Sequence, residues 1–239
     1  MRRVLIVASA LAWYACGSEP QTPANHLGEG DRLLTAGDTA GAQAAYRLAL
    51  GQDSLNADLL ARMGRIYASQ GKFQPADIYL RRAADLTYQR GVVAMQEHNP
   101  AKAQAAFEHT LAIIPAHPLA LLRLGDLAHD AGEDGQALAC FEKAIAANPE
   151  YPEGYVKAGK LYLRQRRLPD AQRAFDRCIE LNINAVEAYL GLGELYLLQG
   201  NPSSAAEQYR KVLLIDPHSP VATAALARLG SHSSPTRGL

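Results

Sequence analysis

Histidine, cysteine and carboxylate side chains bind most metals and move most protons in proteins, so their spacing decides which chemistry is open to the chain. The seven histidines, His26, His98, His109, His117, His129, His218 and His232, show no His-x-x-x-His spacing, and Cys16, Cys140 and Cys178 form no Cys-x-x-Cys pair. The cluster that offers chemistry is Asp126, His129 and Asp130, which one helical face would gather and which could hold a cation or exchange a proton. The competing reading of the same three residues is a solvated patch on a helix. His117 and His218 read as surface residues in turns, and Cys140 and Cys178 as small buried residues on helices, with a disulfide between them the lesser alternative. No glycine-rich loop joins a strand to a helix, and no Gly-x-Ser-x-Gly elbow occurs. The expectation is therefore no catalysis, no cofactor, no bound metal and no small-molecule substrate.

The elements that carry these side chains follow from a repeat. Glycines stand at Gly30, Gly64, Gly91, Gly125, Gly159 and Gly193, separated by 34, 27, 34, 34 and 34 residues. Twelve residues after each comes an alanine: Ala42, Ala76, Ala103, Ala137, Ala171 and Ala205. Four residues further stands a large apolar residue: Tyr46, Leu80, Phe107, Phe141, Phe175 and Tyr209. Three places after each glycine come Leu33, Tyr67, Ala94, Ala128, Tyr162 and Tyr196, and a proline closes three of the units at Pro115, Pro149 and Pro217. Six coincident registers imply six copies of one helical hairpin. Gly and Ala let two helices approach, and the large residue one turn beyond the Ala fills the space between them. Gly37, Gly71, Gly132 and Gly200 fall where the first helix must end, and supply a left-handed residue there.

This pattern resembles the tetratricopeptide repeat, whose signature joins Leu-Gly-x-x-Tyr to a later Ala-x-x-x-Phe and a terminal Pro. The resemblance covers residues 23–219 and implies an all-α fold, a right-handed α-solenoid of six hairpins at 23–56, 57–84, 85–117, 118–151, 152–185 and 186–219. Residues 220–230, with Ala227 in the glycine's place, read as a C-terminal capping helix, and 231–239 as a disordered polar tail. The 27-residue interval lacks seven residues, close to two helical turns, so the apolar face keeps its phase across it. Either the chain turns tightly near Asp85-Leu86-Thr87, or residues 75–97 form one long helix. The tight turn is the favoured reading, because a fused helix would split the solenoid.

In the resembled family the first helix of each hairpin lines a concave groove that holds a protein or peptide. Carried onto this chain, that position offers Asp31, Arg62, Arg65, Arg123, Asp126, Asp130, Glu153, Lys157, Lys160, Arg164, Glu187 and Glu194 as partner contacts. The Lys and Asn pattern with which one branch of the family clamps a chaperone's C-terminal carboxylate is missing, so no chaperone-cofactor role is expected. Charge agrees with a protein partner. With 24 basic and 24 acidic side chains the chain lacks the positive excess that nucleic acid requires. Neutrality hides bands: residues 118–151 carry −4 and 152–185 carry +3.

The first residues read as an address. Arg2 and Arg3 precede an uncharged run over residues 4–15 that is too short to span a bilayer, which needs roughly 20 residues. Ala15-Cys16 resembles the end of a bacterial lipoprotein signal, with residues 1–15 removed, Cys16 lipidated and 16–22 a tether. Trp13 and Tyr14 depart from the family's usual residues there. Cleavage after Ala12, or an uncleaved anchor, is the alternative. Gly17 stands where an inner-membrane lipoprotein would carry Asp, which points to the outer membrane, facing the periplasm. The resulting expectation is an exported, lipid-anchored scaffold that meets the membrane only through its lipid. A lipid joined to helical repeats resembles the bacterial lipoproteins that help assemble secretins, pili or outer-membrane proteins, a likeness of architecture. A soluble periplasmic or secreted adaptor is the alternative.

Overall fold

A computed structural model describes residues 22–232 of the chain. The expected signal at residues 1–15, Cys16 and the tail beyond residue 232 lie outside the described residues. Twelve helices run in order and no strand occurs among the described residues. They are α1 (Pro23–Thr35), α2 (Thr39–Gln52), α3 (Ala57–Ser69), α4 (Phe73–Gln96), α5 (Pro100–Ile113), α6 (Pro118–Asp130), α7 (Asp134–Ala147), α8 (Pro152–Arg164), α9 (Leu168–Leu181), α10 (Val186–Leu198), α11 (Pro202–Ile215) and α12 (Pro220–His232). Two ends differ from expectation. Thr22, placed in the tether, caps α1 by accepting a hydrogen bond from the Asn25 amide at 3.3 Å. The closing helix runs on to His232, because nothing between Pro220 and that residue breaks it.

The repeat glycines sit where two helices touch. A Cβ at Gly30, Gly91, Gly125, Gly159 or Gly193 would fall under 3.0 Å from the ring of Tyr46, Phe107, Phe141, Phe175 or Tyr209, and one at Gly64 would meet Leu80. Phe175 also reaches forward, since a Cβ at Gly191 in the next hairpin would strike the same ring. Phe107, Phe141 and Phe175 are buried, each stabilising its hairpin by about 2–3 kcal/mol.

Each hairpin turns at a left-handed residue. Gly37, Gly71, Gly132 and Gly200 have φ of 85°, 71°, 80° and 73°, and His98 and Arg166 take the same role at 55° and 60°. At each corner the left-handed residue's amide donates three residues back, and the next amide donates to the residue three places after the repeat glycine. Thus Lys72 donates to Tyr67, Asn99 to Ala94 and Arg167 to Tyr162, closing the helix end with the paired bonds of a Schellman motif. Asp38, Asn99 and Asn201 then cap the second helix through their side chains.

The expected turn near Asp85-Leu86-Thr87 does not exist. Helix α4 is continuous over 24 residues, so no boundary falls between the expected repeats 57–84 and 85–117. No Gly or Pro lies between Ala76 and Gly91, and the middle of the helix suits helical backbone. Ala83, Ala84 and Thr87 are buried, and the Thr87 hydroxyl donates to the carbonyls of Ala84 (2.9 Å) and Ala83 (3.2 Å), so no polar group there asks for a turn. The described residues form two compact units, one up to Gln89 and the other from Arg90, and the division falls inside α4. In the first unit Ala42, Tyr46, Ala49, Leu59, Met63 and Ile66 make the core. In the second, one cluster centres on Phe141, one on Phe175 and one on Tyr209, the last covered by Ala222, Ala225, Leu226 and Leu229 of α12.

Candidate functional site

Within the second unit an open groove of about 1230 Å³ is lined chiefly by α6, α8 and α10, the first helices of three successive hairpins. These helices place one face outward because their small buried residues, Ala120, Gly125, Ala158, Gly159, Ala188 and Gly193, hold the opposite face in the core. Of the twelve expected contact residues, Asp126, Glu153, Lys157, Lys160, Arg164, Glu187 and Glu194 line this groove. Asp31, Arg62 and Arg65 belong to the first unit.

Most of the groove's charges are already engaged. Lys157 contacts Asp126 at 2.7 Å and Glu153 at 3.4 Å, while Arg123 contacts Asp126 at 3.0 Å and Glu153 at 3.5 Å. Two cations and two carboxylates thus alternate across α6 and α8, and the Tyr151 hydroxyl donates to Glu153 at 3.0 Å. Lys160 reaches Glu187 at 3.1 Å, joining α8 to α10. In the first unit Asp31 accepts from Arg62 and from the Tyr46 hydroxyl, the latter at 2.6 Å. Burial and this carboxylate push the Tyr46 phenol up to about 12.

The sequence cluster Asp126, His129 and Asp130 does not assemble as one site. Asp126 is held by Lys157 and Arg123, whereas the His129 Nδ1 lies 2.9 Å from Asp134 on α7. Asp130, the last residue of α6, is exposed and does not line the groove. One helical face gathers these residues along the sequence, but Asp126 is engaged by Lys157 and Arg123 while His129 lies against Asp134 of the next helix. No group of three or more His, Cys, Asp or Glu that could hold a metal occurs among the described residues. Cys178 is buried and Cys140 half-buried, both as free thiols, and burial pushes the Cys178 thiol up to about 11. His117, read as a surface turn residue, is half-buried and caps α6, its Nδ1 accepting from the Ala120 amide at 3.2 Å.

Several groove residues were not foreseen: Leu190, Leu197, Leu198, Val221 and Arg166 line the wall, and Arg164 of the wall pairs with Asp134 at 3.1 Å. A signal for the pairs exists: Asp31 and Arg62, like Asp126 and Lys157, are 31 residues apart, and Arg123 and Glu153 are 30 apart, each near one repeat length. The −4 and +3 bands therefore meet each other as ion pairs.

The chain matches the family described as tetratricopeptide repeat over residues 27–87 and 156–220, and the TPR repeat family over 115–165. It is similar to cellulose synthase operon protein C of Xanthomonas axonopodis pv. citri (strain 306), 37% identical over 87 residues that make up 36% of this chain. The match spans 6% of the length of that curated relative. Among solved structures, the APC/C hetero-tetramer Cut9-Hcn1 aligns over 92% of this chain and 45% of its own, at 18% identity and TM-score 0.56. The Pseudomonas aeruginosa pilF structure aligns over 86% and 97%, at 19% identity and TM-score 0.55. At these identities the likeness is one of fold.

Proposed function

The chain belongs to the tetratricopeptide repeat family, a family of protein-interaction scaffolds, and from that premise we propose that it is non-catalytic and holds a protein or peptide in the groove of α6, α8 and α10. The observation that carries this reading is the groove itself. Three successive first helices present an open wall on which exposed leucines and a valine lie beside charges. Exposed apolar side chains gathered beside charges are what a partner would cover. Asp126 and His129, the residues with most chemical potential, are each engaged within the protein, Asp126 by Lys157 and Arg123 and His129 by Asp134.

The scaffold is further proposed to be exported and anchored through a lipid on Cys16 in a bacterial outer membrane, where it aids assembly of an envelope complex. Supporting this are Arg2 and Arg3, the uncharged run that follows, and Ala15 before Cys16. Among the described residues no helix is long and apolar enough to cross a membrane. Palmitate labelling that survives Cys16→Ser would reject the anchor, and absence of labelling in the native chain would leave a soluble periplasmic or secreted adaptor. For the groove, partners are co-purified from detergent-solubilised membranes with the native chain and with a Lys157→Glu/Lys160→Glu variant. Loss of a specific partner from the variant is expected, and unchanged recovery would reject the groove as the binding wall.

A further inference from the structure

The charges on the first helices follow a register that runs out at α12. In three of the repeats the residue one place after the glycine pairs with the residue two or six places before the glycine of the next repeat. Asp31 pairs with Arg62, Asp126 with Lys157 and Lys160 with Glu187 in this way. In the last repeat the place after Gly193 is Glu194. The following helix is α12, where Ala227 stands in the glycine's position, so the two partner places fall on Ala225 and Val221. Neither can supply a counterion. Glu194 is exposed, lines the groove and enters no ion pair among the described residues. Around it the wall turns apolar: Leu197, Leu198 and Val221 are 41%, 42% and 55% exposed, beside half-buried Leu190.

We infer that this end of the groove docks a partner segment carrying one basic side chain among apolar ones. Its ammonium or guanidinium fills the vacant counterion place at Glu194, and its apolar groups cover Leu197, Leu198 and Val221. The inference rests on the groove reading above and names the chemistry of what the groove takes. A polybasic segment does not fit, because Asp126, Glu153 and Glu187, the other carboxylates lining the groove, already hold cations and leave Glu194 alone to receive one. An acidic segment meets Glu194 itself. Apolar burial supplies the affinity, and the single ion pair fixes the register of the bound segment.

The test titrates an acetylated, amidated peptide, Ser-Leu-Leu-Lys-Leu-Ser, into the full chain and follows anisotropy and amide shifts. Saturable binding with shifts on α10 and α12 is expected. Glu194→Gln weakens it about fivefold, the size of one partly exposed ion pair. Replacing the peptide's lysine by norleucine weakens binding to the native chain by about the same factor, yet leaves binding to the Gln variant unchanged. Val221→Lys, which supplies the missing counterion within the chain's own register, weakens the peptide as well. Because Glu194 and Val221 are exposed, the variants keep the native melting temperature, which is measured alongside. Equal binding of the lysine and norleucine peptides, indifference to Glu194→Gln, or no saturable binding overturns the inference. The groove reading survives any of these if Lys157→Glu/Lys160→Glu still loses its co-purified partner.

Discussion

A methyl group on Gly125 or Gly159 would enter the ring of Phe141 or Phe175, and neither ring has free space to retreat into because both are buried. Alanine gains about 1 kcal/mol of helix propensity at such a place but must displace a packed ring at about 3 kcal/mol, so Gly159→Ala loses about 2 kcal/mol of stability. Gly28, in the middle of α1, has open space around it, and Gly28→Ala gains about 0.5–1 kcal/mol instead. Urea midpoints of the two variants should move in opposite directions. The corners give the reverse experiment. His98 and Arg166 hold φ of 55° and 60°, where a Cβ is strained, so His98→Gly and Arg166→Gly each gain about 0.5–1 kcal/mol although glycine normally destabilises. Tyr46 sets an alkaline limit. Its phenol is raised from 10.0 to about 12, so above pH 10 the unfolded chain releases a proton that the folded chain keeps. Stability falls as pH rises through that window, and Tyr46→Phe removes this contribution to the slope.

Helix α4 shows what a repeat deletion does to an element. Losing seven residues removes the loop between two helices while leaving the apolar face in phase, and a chain with no helix breaker then continues as one helix. Asp85→Pro should cost about 3 kcal/mol or more, because it removes a backbone bond in the middle of that helix. Trypsin should spare Arg81, Arg82 and Arg90 in the native chain and cut there rapidly in the variant; fast nicking of the native chain would contradict the continuous helix. The residues explain why the hairpins were legible and this helix was not. Gly, Ala and the aromatic report a contact within one hairpin, and Gly37, Gly71, Gly132 and Gly200 report a backbone angle, so the sequence states both directly. At Asp85-Leu86-Thr87 the choice between a turn and a helix lies in tertiary burial of Ala83, Ala84 and Thr87, which no local signal records. The corners at His98 and Arg166 were hidden for a related reason, since their strain is carried by the rest of the hairpin.

At the scale of the whole molecule the charged first helices are mortar before they are a surface. Helical phase is fixed by the repeat, so the sequence places Asp126, Glu153, Lys157, Lys160 and Glu187 on the outward wall, but it does not say that they pair with each other across neighbouring hairpins. Pairing depends on which side chains one repeat apart face one another, and the apolar end at Leu197, Leu198 and Val221 depends on how α12 lies on the last hairpin. Partly exposed ion pairs of this kind contribute about 0.2–1 kcal/mol each, so apolar contacts between neighbours carry the stability. The contact that tests this is the last one. Helix α12 lays Ala222, Ala225, Leu226 and Leu229 on Tyr189, Tyr209 and Val212. A chain stopped after Asp216 uncovers that cluster and loses on the order of 3 kcal/mol of apolar burial. In a nearest-neighbour stack the loss stays local: hydrogen exchange should quicken in α10 and α11 and leave α1, α2 and α3 unchanged. Exchange that quickened equally in every helix would mean that the repeats unfold as one cooperative block, and the additive account would fail.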